Sequence, residues 1–118
     1  NILKNYSYHK NIFLIDGLYE KPVLDLIRRK CKAYIHTHTS CGTAPSLVEM
    51  AISKRPILSI DKPQNRFTLE NEGFYFKSFE KLIDTIDSIS NFDKYIISKK
   101  VRSIYSWPKI VSSYENLY

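Results

Sequence analysis

The chain has 118 residues, 43% of them hydrophobic, and a formal net charge of +6. That length fits one domain, no apolar run approaches the roughly 20 residues of a membrane span, and no signal peptide is visible. Two cysteines, Cys31 and Cys41, make no disulfide framework and suit a reducing cytoplasm.

In chain order, Asn11 to Asp16 is a short apolar run before Gly17. It predicts a buried parallel strand. Pro22 then suits a helix first turn. Val23, Leu24, Ile27 and Cys31 follow at helical spacing, with Arg28, Arg29 and Lys30 toward the C-terminal end. Ala33 to His36 reads as the next strand. Pro45 to Ser53 reads as a helix with Leu47, Met50 and Ala51 inward, and Pro56 to Ile60 as a third strand.

Asp61 to Glu72 reads as polar and irregular, and Gly73 to Phe76 as an edge strand. Ser78 is placed to cap a helix with Glu80 in its first turn. Phe79, Leu82, Ile83, Ile86 and Ile89 form that helix's expected core side. Phe92 to Tyr105 carries Ile97, Val101 and Ile104 in register. A last helix begins at Pro108, and Trp107 before it is expected to be a packing anchor. Strand and helix alternate throughout. The expected fold class is therefore α/β, a Rossmann-like parallel sheet with helices on both faces. Ligands in such sheets bind at the carboxyl ends of the strands.

The segment YIHTHTSCGTAPSLVEMAISKRPI, Tyr34 to Ile57, carries most of the functional signal. It is strand, small-residue loop, helix, strand. The helix starts at Pro45 after Gly42, Thr43 and Ala44, and its free N–H groups make an anion site. Ser46, Glu49 and Ser53 share a helix face opposite Leu47 and Met50. An acid there is suited to ligand hydroxyls, or equally to the helix dipole alone. Phosphate plus hydroxyls points to a nucleotide or nucleotide sugar.

His36, His38 and Cys41 invite a zinc reading. The two histidines are not expected to converge, and a structural site takes four ligands. No metal is expected; His38 is the histidine nearer the ligand edge. Cys41 as a nucleophile lacks a base and an orienting group. The basic residues are spread out, which fits a solvated surface, and no nucleic-acid partner is expected.

The Tyr34–Ile57 segment resembles the donor-binding loop and helix of family-4 retaining glycosyltransferases, which have the GT-B fold. IFLIDGLYEKPVLDLIRRKCKAYIH resembles the family's strand–Gly–helix–strand approach, SFEKLIDTI its helix after the substrate loop, and RSIYSWPKIVSSYENLY its closing helices. Nearly the whole chain is covered, and the spacing from GTAPSLVEM to RPILSID is the specific part. The most similar branch is that of rhamnosyltransferase-like enzymes of bacterial surface-polysaccharide synthesis, such as O-antigen pathways.

The resemblance implies that Glu49 binds the ribose hydroxyls. A second family glutamate, seven residues earlier, falls on Gly42, where the resembled branch also carries glycine. Either the backbone at Gly42, Thr43 and Ala44 substitutes for that side chain beside the donor sugar, or the donor sugar differs; backbone N–H groups around Ser46 and Leu47 would meet the diphosphate. Leu18 would pack on the nucleobase, and His38 would donate a hydrogen bond at the same edge. Lys54 stands where the family usually has the glycine that ends this helix. Either a left-handed lysine costs about 1 kcal/mol there, or the helix ends differently.

By the same resemblance, residues 1–118 are the donor-binding half of a retaining enzyme, truncated at the N-terminus and inactive alone. The implied donor is a UDP- or dTDP-sugar. The acceptor is a saccharide or lipid-linked saccharide, held by a separate N-terminal domain. The implied place is the cytoplasmic face of a bacterial membrane, with peripheral association. The alternating pattern alone also permits a non-catalytic flavodoxin-like binding or regulatory module.

Overall fold

The computed structural model describes residues 9–40, 42–89, 91, 97 and 99–117. In chain order the elements are helix α1 (Lys21–Lys30), strand β1 (Tyr34–His36), α2 (Pro45–Ile52), β2 (Ile57–Ile60), α3 (Pro63–Thr68), β3 (Phe74–Phe76), α4 (Phe79–Ser88), α5 (Lys99–Ile104) and α6 (Trp107–Glu115). The three strands form one parallel sheet in the order β1-β2-β3. The chain is thus α/β.

Proline sets four of the helix starts. α1, α2, α3 and α6 each carry it at the first or second helical position, where the missing N–H costs nothing and φ is already helical. α4 starts instead on Ser78, whose hydroxyl accepts the Lys81 N–H at 3.4 Å. In the sheet, Tyr34, Ile35 and His36 stand opposite Ile57, Leu58 and Ser59. Leu58, Ser59 and Ile60 stand opposite Phe74, Tyr75 and Phe76.

Successive strand residues face opposite sides, so the sheet divides its core in two. On one side Ile57, with Tyr34 and Tyr75, packs against Leu47, Met50 and Ala51 of α2, and against Leu69, Ile97 and Val101. On the other, Leu58 and Phe76 pack against Leu82 and Ile89. Helices therefore lie on both faces, as the alternating pattern requires.

Several expectations are corrected. Residues 11–16 are not a strand: Phe13 is 85% exposed and Ile15 72%, and no strand pairs with β1's outer edge among the described residues. An apolar run encodes a preference for burial, but a strand exists only where a neighbour supplies its hydrogen bonds. The stretch expected to be irregular contains α3. Pro63 is not a breaker there but the helix's first residue, and Asn65, Thr68 and Leu69 form a buried stripe at spacings of three and four.

α4 buries less than expected: Leu82 and the following Ile89 are inside, while Phe79, Ile83 and Ile86 are exposed. A helix over β2 and β3 has a narrow surface to cover, and Ile35 on β1 is left half-exposed. Ile97 and Val101 are buried as expected, whereas residues 92–96 of that run lie outside the described residues. Trp107 is no packing anchor, being 78% exposed at the first turn of α6. α1 has no buried residue, and Val23 and Ile27 remain open to solvent. Among the described residues, no helix is long and apolar enough to cross a membrane.

Candidate functional site

Parallel strands bring the segments after β1, β2 and β3 to one edge of the sheet. The first turn of α3 organises that edge. Gln64 Nε2 donates to the Thr39 carbonyl at 3.0 Å. Asn65 Nδ2 donates to the carbonyls of His38 and Ile60, each at 3.1 Å. One fully buried amide thus ties the loop after β1 to the end of β2. The Asp61 N–H donates to the Phe76 carbonyl at 2.8 Å, which ties β2 to β3.

Asp61 also pairs with Arg66, whose guanidinium lies 4.1 Å over the Tyr75 ring. The Arg66 hydrogen bond holds the Asp61 carboxyl below its ordinary range. Burial pushes the Tyr75 phenol up.

Residues 37–40, all exposed, line a shallow open depression of about 440 Å³ at this edge, and His38 is one of its walls. The His36 and His38 rings meet edge to face, with centroids 4.9 Å apart. The expectation that these two histidines stay apart is overturned, because strand positions two apart share a face. Burial and the neighbouring His38 lower the His36 pKa, which favours the uncharged imidazole. Cys41, the third residue of the zinc reading, lies outside the described residues. Among the described residues, no three His, Cys, Asp or Glu side chains are grouped to hold a metal.

α2 begins at Pro45, five residues beyond Ser40. Ala44 is its N-cap and offers no capping side chain. The Ala44 carbonyl accepts from Leu47 N–H at 3.0 Å and from Val48 N–H at 3.2 Å. Pro45 has no N–H, so the first turn presents chiefly the N–H of Ser46. The Ala44 and Leu47 side chains are buried in the core, and the Leu47 N–H is already committed to the Ala44 carbonyl, so the expected contact of Leu47 with a diphosphate is not offered here. Thr43 is exposed, and Ser46 and Leu18 are partly buried. A Cβ on Gly42 would meet nothing within 4 Å, so no packing demands glycine there.

Glu49, in the second turn of α2, lies elsewhere. Its carboxylate is bound by Arg28 of α1, which also lies 3.7 Å from Asp25. Together with Lys21, Arg29, Lys54 and Trp107, these residues line a groove of about 950 Å³ between α1, the end of α2 and the start of α6. Glu49 and His38 thus belong to separate cavities. α2 ends where Lys54 takes a left-handed φ of 60°.

Sequence reasoning missed Asn65 and Arg28. The first shares a buried stripe of α3 with Thr68, so no apolar periodicity signalled it. Nothing local signals an ion pair between residues 28 and 49. Set against known protein families, curated proteins and solved structures, the chain matches none.

Proposed function

We propose that this chain is the donor-binding part of a retaining glycosyltransferase that uses a UDP- or dTDP-sugar. In this reading the acceptor, a saccharide or a lipid-linked saccharide of bacterial surface-polysaccharide synthesis, is held by another domain at the cytoplasmic face of the membrane. The supporting observation is local. Residues 34–57 form a parallel strand–loop–helix–strand unit, and its helix ends on Lys54 at φ 60°. That conformation is the one natural to glycine, which the resembled glycosyltransferases usually carry at this position; Lys54 departs from them in residue type while keeping the backbone conformation.

In this reading the N-terminus of α2 faces the diphosphate, and its dipole favours the departing anion. Glu49 accepts from the ribose hydroxyls through carboxylate oxygen not used by Arg28, or exchanges Arg28 for them. No side chain is assigned as a nucleophile.

Calorimetric titration of the protein with UDP and dTDP tests the reading. One of them is expected to bind, and Glu49→Ala is expected to weaken it about 10- to 100-fold, the worth of hydrogen bonds to a charged acceptor. Absence of binding by both nucleotides, or unchanged affinity in the variant, overturns it.

A further inference from the structure

The groove between α1, the end of α2 and the start of α6 holds about 950 Å³. That is room for a small molecule, whose sites take about 300–1,000 Å³. The charges on its walls do not cancel. Arg28 lies between Asp25 and Glu49 and serves both carboxylates. Lys21, Arg29 and Lys54 line the same groove, are exposed, and have no ion-pair partner among the described residues. Four cations therefore face two carboxylates, a surplus of two positive charges in one void. A cleft with an excess of one sign focuses its field and concentrates the opposite ion. The same groove is lined by Tyr19 and Trp107, both exposed. Large aromatic rings gain most from being covered, and a flat partner laid on the indole makes that contact.

We propose that this groove binds a phosphorylated aromatic ring, with the ring on Trp107 and the phosphate among Lys21, Arg29 and Lys54. A phosphate monoester carries about −1.5 to −2 charges at neutral pH, which matches the surplus. Inorganic phosphate would leave the indole bare, and an uncharged ring would leave the cations without a partner. Arg28 stays on Asp25 and Glu49, so the ion pair that joins α1 to α2 need not break. The arrangement uses neither the start of α2 nor a ribose, and it stands apart from the nucleotide-sugar reading.

Trp107 is the single tryptophan of the chain, so its emission, excited beyond the tyrosine band, reports on this groove alone. Phenyl phosphate titrated into the protein tests the proposal, with phenol and inorganic phosphate as controls. The expected result is a saturable change in emission with phenyl phosphate, which phenol and phosphate do not reproduce at the same concentration and which weakens as salt is raised. The triple variant Lys21→Gln, Arg29→Gln, Lys54→Gln is expected to lower the affinity about 3- to 100-fold, each exposed cation supplying a few-fold. Glu49→Ala is expected not to lower it, because Arg28 is then released to the anion; the nucleotide-sugar reading expects the opposite for UDP, so the two succeed or fail separately. The titration of the unaltered protein decides the matter should the triple variant not fold. No saturable change, a change that phenol equals, or an affinity unaltered in a folded triple variant overturns the proposal.

Discussion

Replacing Lys54 with glycine should stabilise the protein. The residue sits at φ 60°, where a Cβ approaches the following carbonyl and costs about 1–2 kcal/mol. Glycine removes that strain but gives the unfolded chain more freedom, which costs about 0.4–1 kcal/mol. The expected net gain is about 0.5–1 kcal/mol. With a urea m-value of about 1–2 kcal/mol per M, the unfolding midpoint should rise by about 0.3–1 M. Lys54→Ala keeps the Cβ and removes only the charge, so it should leave the midpoint nearly unchanged. Lys54 is exposed, so little packing is lost in either variant. A midpoint that falls in Lys54→Gly, or rises as much in Lys54→Ala, would refute the strain argument.

Asn65→Leu should cost about 1–3 kcal/mol in a urea melt, since it strands the carbonyls of His38 and Ile60; Gln64→Ala, made at a more exposed position, should cost much less. Gly42→Glu should fold with stability within about 0.5 kcal/mol of the parent, because the space around Gly42 is open. Asp61 has a folded pKa below its unfolded one. Its contribution is therefore complete above the ordinary carboxylate pKa and is lost as pH falls through the lower folded value. Asp61→Asn should flatten that acid limb in melts recorded from pH 5 downward.

Much of the sheet is legible in the residues themselves. Pro45, the inward Leu47, Met50 and Ala51, and the apolar run before Asp61 fix α2 and β2 with local signals only. Residues 11–16 fail as a strand because the same pattern says nothing about a neighbour. α3 is missed because its buried stripe includes Asn65 and Thr68, polar residues that satisfy hydrogen bonds rather than fill an apolar core. At the candidate site, the sequence marks the helix start and Glu49 but not Arg28, which comes from another element and claims the same carboxylate. His38 and Glu49 are eleven positions apart on one strand–loop–helix unit, yet they line different cavities. Distance along the chain does not reveal which wall of a helix a groove will use.

The way α1 is held has a consequence for motion. None of its residues is buried, and its links to the body include the Arg28–Glu49 ion pair and the bond from Arg55 Nε to the Arg29 carbonyl at 2.7 Å. A helix fastened by charges at the surface opens far below the cost of global unfolding. The screening length shrinks from about 10 Å at 0.1 M salt to about 3 Å at 1 M. Raising ionic strength is therefore expected to weaken what holds α1 to the body, and faster hydrogen exchange of the α1 amides than of the sheet at high salt would show it.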